Sequence, residues 1–94
     1  MTVKIFIKRK VQDKNSAELT LLLRKLRALA LGQPGYLSGE TFNRIDKTDE
    51  CMVIGTWRSV EDWNNWVNNS QRIAVQAEID KLLGEETEYA MYSS

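Results

Sequence analysis

The stretch Cys51-Met-Val-Ile-Gly-Thr-Trp57 carries apolar residues on both of its alternating faces. A strand that reads this way is covered on both sides. Immediately before it, Asp46 to Glu50 is a polar turn, and before that Gly35-Tyr-Leu-Ser-Gly-Glu-Thr-Phe-Asn-Arg-Ile45 predicts a second strand, with aromatic and Thr residues that suit the pleat. Near the N-terminus, Val3, Ile5 and Ile7 alternate with Lys4, Phe6 and Lys8. That period of two predicts a strand from Val3 to Val11. Thr87, Tyr89 and Met91 alternate in the same way and predict a short last strand over Glu86–Tyr92.

Helical patterns fill the intervals. Asn15 followed by Glu18 has the spacing of a capping box. Leu19, Leu22, Leu23, Leu26, Leu29 and Ala30 then recur at helical spacing, with Arg24, Lys25 and Arg27 on the opposite side, until Gly32 and Pro34 stop the helix. Ser59 with Asp62 is a second capping box and opens a helix containing Trp63, Trp66 and Val67. Asn68-Asn69-Ser70 marks a break, because these side chains compete for backbone hydrogen bonds. Helix resumes through Ile73, Ala77, Ile79, Leu82 and Leu83 and ends at Gly84. The order β-α-β-β-α-β predicts an α+β, ferredoxin-like domain over 1–94: a four-stranded antiparallel sheet with two helices on one face. Its other face is bare by topology yet carries apolar residues, so it calls for a partner, and a second copy of the same sheet is the simplest one.

Composition narrows the chemistry. The 94 residues suffice for one core, and thirteen Lys+Arg balance thirteen Asp+Glu. Zero net charge argues against a nucleic-acid binder or a polybasic membrane anchor. The chain has no histidine, which removes the His-based triad and the His metal cluster, and its one cysteine, Cys51, excludes an internal disulfide and a Cys-rich metal site. Asp46, Asp49 and Glu50 lack the spacing of a calcium loop. The expectation is therefore that no metal or other cofactor is needed. The lysine-broken N-terminus does not read as a signal peptide and no run is long enough to span a bilayer, so the expected location is the cytoplasm.

Pro34-Gly-Tyr-Leu-Ser-Gly-Glu-Thr41, Val53-Ile-Gly-Thr-Trp-Arg-Ser59, Trp63-Asn-Asn-Trp66 and Leu82-Leu-Gly-Glu-Glu-Thr-Glu-Tyr89 together resemble the antibiotic biosynthesis monooxygenase family of the dimeric α+β barrel superfamily. The resemblance covers nearly all of the chain. It implies a homodimer built through the open sheet face and a pocket for a small aromatic ligand between helices and sheet. It also implies one of several activities: cofactor-free oxidation of electron-rich polyphenols, haem degradation, or isomerase and unassigned roles. In the haem-degrading members a first-strand Asn and a His ten residues after the helix Trp hold the cofactor. Here Lys8 and Gln76 stand at those places and only Trp66 matches. The leading reading is accordingly a cofactor-free monooxygenase acting on a quinol, anthrone or polyphenol, with a non-catalytic binding or sensor domain as its alternative and a haem-binding or haem-degrading protein as the third.

Within that reading Trp66 and Glu40 are the candidate catalytic residues, the second as a desolvated base, and Tyr36, Arg58, Trp63 and Trp66 are the candidate substrate contacts. Each has a plainer alternative. Trp63 and Trp66, three residues apart on one helix, read equally as core; Glu40, on the Tyr36, Ser38 and Phe42 side of its strand by alternation, as an exposed edge-strand carboxylate; Arg58 as the partner of Glu61 or Asp62 in a surface ion pair. Tyr36 and Tyr89 fit either a pocket or a dimer seam. Trp57 and Cys51 read as core, and Lys4, Lys8, Arg9 and Lys10 as a solvated strand face.

Overall fold

Alternation at the N-terminus builds β1 (Val3–Lys10), and the rest of the chain follows as α1 (Ala17–Leu31), β2 (Tyr36–Asn43), β3 (Glu50–Trp57), α2 (Val60–Val67), α3 (Ser70–Leu83) and β4 (Glu88–Ser93). This is a computed structural model, and it describes residues 2–12 and 16–93. All pairings in the four-stranded sheet are antiparallel, in the order β2-β3-β1-β4. The two strands read as most apolar are thus the central ones. The ferredoxin-like architecture stands, with the second helical stretch divided into two helices.

That division falls where the Asn-Asn-Ser run predicts it. Asn68 caps the end of α2, and the Asn69 side-chain oxygen accepts from the Gln71 and Arg72 amides to start α3. Ser59 caps α2 by accepting from the Asp62 amide at 3.1 Å. The cap of α1 is Ser16, whose hydroxyl accepts from the Leu19 amide at 3.2 Å; the expected Asn15 lies outside the described residues. Strand β2 stops at Asn43, two residues short of the expected Ile45, because the Arg44 amide donates to the Glu50 carbonyl and closes the turn, leaving Ile45 93% exposed.

Register determines which side chains meet the helices. Val3, Ile5 and Ile7 stand opposite Trp57, Gly55 and Val53, and the helices cover this face. Two apolar clusters form beneath them. One gathers Val3, Ile5, Ala30, Trp57, Trp63 and Trp66; the other joins Val11 and Leu19 to Val75 and Ile79 of α3. Between the clusters α1 stands off the sheet, so Leu22, Leu23, Leu26 and Leu29 are only half-buried despite their helical spacing. The opposite face carries Phe6, Met52, Ile54, Phe42 and Tyr92 among Lys4, Lys8, Glu50 and Glu88.

Two glycines have positive φ, Gly35 at 83° and Gly84 at 76°. A β-carbon on Gly35 would collide with the Asp62 carboxylate, whereas one on Gly84 would meet open space. Left-handed backbone alone costs a non-glycine residue about 1–2 kcal/mol. Gly35→Ala should therefore lower the melting temperature clearly more than Gly84→Ala, and equal losses in thermal melts would show that Asp62 moves aside freely.

Candidate functional site

The space left under α1 is a cavity of about 300 Å³ enclosed by α1, α2 and the helix-facing side of β1, β2 and β3. Its aromatic wall is built around Trp57, only 2% exposed at the end of β3. The Trp66 indole stacks on it with centroids 6.1 Å apart and an interplanar angle of 25°, Trp63 meets it edge-on at 5.8 Å, and Tyr36 closes the other side at 5.3 Å. Trp63 and Trp66 reach it from α2 because a three-residue spacing puts both on the buried side. The missing side chain at Gly39 is what admits the Tyr36 ring: a β-carbon there would stand 2.5 Å from the phenol oxygen.

Leu23, Leu26, Ala30, Ile7, Val11 and Val53 supply the aliphatic remainder. Polar groups are few: Arg9, Thr41, Thr20 and Cys51 line the wall, with Arg24 and Arg27 at the α1 side. No Asp or Glu is among the described lining residues. The cavity is thus an aromatic-walled slot whose described charged side chains are all positive, a form suited to a small aromatic ligand.

The structure brings three of the five candidate residues to this cavity: Tyr36, Trp63 and Trp66. It does not bring Glu40. A register shift between Tyr36 and Ser38 leaves Tyr36 on the helix side while Glu40 pairs with Ile54 on the open side, exposed and across the sheet from the cavity. A strict alternation from Tyr36 would have kept the two together, which is why the sequence grouped them. Arg58 is also elsewhere. Its guanidinium donates to Asp62 at 3.0 Å on the exposed surface, where it forms the i,i+4 ion pair that was its alternative reading.

Sequence reasoning passed over Arg9. Its side chain is buried, 5% exposed, although it was grouped with Lys4, Lys8 and Lys10. The signal was available: Arg9 shares the parity of Val3, Ile5 and Ile7, so it faces inward where the lysines face out. Its Nη2 donates to the Gln76 side-chain oxygen at 3.2 Å, and the Gln76 amide nitrogen donates in turn to Asp80 and to Thr87, each at 2.8 Å. Gln76, singled out only as the residue at the haem-ligand place, is therefore held on three sides. Burial pushes the Arg9 guanidinium below its ordinary value, partly countered by the fields of Tyr89, Cys51 and Asp80. Beside this network Arg72 lies between Trp63 and Tyr89 and donates to the Tyr89 hydroxyl at 2.7 Å. Burial raises the Tyr89 phenol, so it stays neutral and accepts that bond.

With fold and cavity in view, the class is that of small α+β domains with a cavity between helices and sheet. The antibiotic biosynthesis monooxygenase family profile matches residues 2–78, and the chain belongs to that family. Among solved structures, a conserved protein from Methanosarcina mazei superposes with a TM-score of 0.88 at 14% identity, covering 100% of this chain and 93% of that one. SnoaB, a cofactor-independent oxygenase from Streptomyces nogalater, superposes with a TM-score of 0.83 at 15% identity, covering 99% and 92%. A protein from Mycobacterium tuberculosis gives 0.83 at 14% identity, covering 100% and 95%. At these identities the likeness is one of fold. No curated protein matches the chain in sequence. No helix among the described residues is long and apolar enough to cross a membrane.

The Gln76 network makes a prediction of its own. Gln76→Leu keeps similar bulk but strands a charged donor of Arg9, while the Thr87 hydroxyl keeps its own bond to Asp80, and leaving a buried donor unsatisfied costs about 1–3 kcal/mol. At roughly 4–8 °C per kcal/mol for a domain of this size, the melting temperature should fall by at least several degrees. A change within one degree would mean that water replaces the amide without loss.

Proposed function

We propose that the protein is a cofactor-independent monooxygenase acting on a small electron-rich aromatic, a quinol, anthrone or related polyphenol, held in the cavity under α1. The observation that carries this reading is the slot itself: three indoles and a phenol around about 300 Å³ of space, with positive but no negative side chains among the described lining residues. Membership of the family and the likeness in fold to SnoaB support it.

The chemistry asks little of the protein. A bound anthrone or quinol anion is electron-rich enough to pass one electron to dioxygen, and the radical pair recombines as a carbon-bound peroxide. Protonation and loss of water then leave a carbonyl, so that CH2 plus O2 becomes C=O plus H2O with the substrate as the sole reductant. The protein holds the ring flat, favours its anion and keeps bulk water out. Trp66 contributes the floor and an indole N–H that can donate to a substrate oxygen. Trp63 and Tyr36 complete the clamp. Glu40, exposed on the far side of the sheet, has no part in this assignment.

The same lack of a carboxylate in the described wall favours a second reading, a binding domain that leaves oxidation to another protein. Oxygen uptake separates the two. With 1,8-dihydroxyanthrone and EDTA present, the oxygenase consumes one O2 per anthraquinone formed, well above the rate without protein. Tight binding with no acceleration establishes the binder instead. Trp66→Phe keeps most of the volume and removes the N–H, so affinity for the anthrone should weaken by the worth of one hydrogen bond, about 0.5–1.5 kcal/mol. A change in melting temperature with unaltered affinity would make Trp66 core alone.

The reading includes a homodimer through the open sheet face. Phe6, Met52, Ile54, Phe42 and Tyr92 form an apolar patch there, with Phe6 and Tyr92 packed edge to face at 5.0 Å. Light scattering should give twice the 10.8 kDa of the chain, and Ile54→Asp should shift it toward one. A monomer at micromolar concentration would remove this part of the proposal.

A further inference from the structure

Arg9 is placed where a surface arginine has no reason to be. It lines the cavity, is 95% inaccessible, and among the described residues no carboxylate lies within ion-pair distance of it. The nearest acid along its hydrogen-bond network is Asp80, which reaches it only through the neutral Gln76 amide. Its buried Nε–H has no acceptor among the described residues. A buried charge with an unmet donor is costly unless something pairs with it. Fixing that charge rigidly also takes structure: Gln76 is committed to Arg9 by its oxygen and to Asp80 and Thr87 by its nitrogen, so the guanidinium is held against the slot.

We infer that Arg9 is an anion anchor, and that the natural ligand carries an oxyanion, a carboxylate or an acidic ring hydroxyl, on its aromatic body. This inference deepens the proposed ligand class and rests on the cavity being the ligand site. Two features beyond Arg9 agree with it. Arg24 and Arg27 line the same cavity from α1, so every charged side chain among the described lining residues is positive, and no described acidic side chain in the wall competes for the guanidinium. Arg9 stands near the C-terminal end of β1, away from the Trp57, Trp63 and Trp66 cluster that gathers Val3 and Ile5 at the other end of the strand, which would fix the orientation of a ligand that has one acidic edge. Gln76 is a positioning residue in this scheme, since it touches Arg9 and not the slot.

Calorimetric titration with 2-naphthoate and its neutral isostere 2-naphthamide tests the assignment. The wild-type protein should bind the anion about tenfold or more tightly than the amide, the scale of a charge-assisted pair in a partly desolvated site. Arg9→Met should bring the ratio to about one with amide affinity within roughly twofold of wild type, and Arg9→Lys should retain a reduced preference. Should Arg9→Met fail to fold, Arg9→Lys alone decides, since an unchanged ratio there means the planar guanidinium is not the contact. A preference that survives Arg9→Met but disappears in Arg24→Gln/Arg27→Gln overturns the inference in favour of the cavity edge. Equal binding of both probes by the wild type overturns it while leaving the aromatic cavity standing. Binding of neither overturns the cavity reading and this inference with it.

Discussion

The placement of a single indole governs the rest of this domain. Trp57 ends β3 where that strand is flanked by β1 and β2, paired with Val3 on one side and Tyr36 on the other, and its ring rises from the sheet toward the helices. Two further indoles from α2 pack on it. Three large rings in one corner set the spacing between helix layer and sheet there, and α1 inherits that spacing along its length. Residues such as Leu23 and Leu26 cannot close the gap, because a leucine spans less than an indole. The cavity is the consequence: an aromatic wedge at one end, the Leu19, Val75 and Ile79 cluster at the other, and unfilled space between.

This explains why the fold was legible in the sequence and the site only in part. Element type followed from period, and the stops at Gly32, Asn68-Asn69 and Gly84 announced themselves through residues with a specific backbone role. The aromatic half of the site was legible as well, because Trp63 and Trp66 share a helix face that must be buried. What escaped was decided by register. The shift between Tyr36 and Ser38 moves Glu40 to the opposite face from Tyr36, and no residue in that stretch marks it, since Leu37 and Ser38 are compatible with plain alternation. Arg9 escaped for a different reason. Its parity was readable, but its charge and its basic neighbours suggested water, and a buried arginine makes sense only once Gln76, sixty-seven residues later, is seen beside it.

In the proposed site the polar network around Arg9 and the aromatic wedge would play complementary parts. The wedge would provide affinity without direction, since stacking on an indole tolerates rotation of a ligand in its plane. The network would provide direction, at a cost in stability. A 94-residue domain has only about 5–15 kcal/mol to spare, and it spends part of that margin on an open cavity and an incompletely paired guanidinium. Such features persist where they are used, which is the physical reason for reading this cavity as a site instead of a packing fault.

The same margin connects the two faces of the sheet. Helices cover one face incompletely because the cavity lies beneath them, while the other face keeps Phe42 and Tyr92 about half exposed beside Phe6, Met52 and Ile54. A small chain that leaves both an internal cavity and an apolar sheet face has given up burial twice. Apolar area recovered by pairing that face with a second copy would offset the first loss without filling the cavity, since the strands lie between them. In this arrangement the sheet separates two tasks. Residues of one parity on β1 and β3, such as Ile7 and Val53, line the cavity, and those of the other, such as Phe6 and Ile54, lie on the face proposed for assembly. Under the proposed function a substitution at one parity of β1 or β3 would alter binding and leave assembly unchanged, and the converse would hold at the other, because these two strands pair in unbroken register and their neighbouring residues face opposite sides.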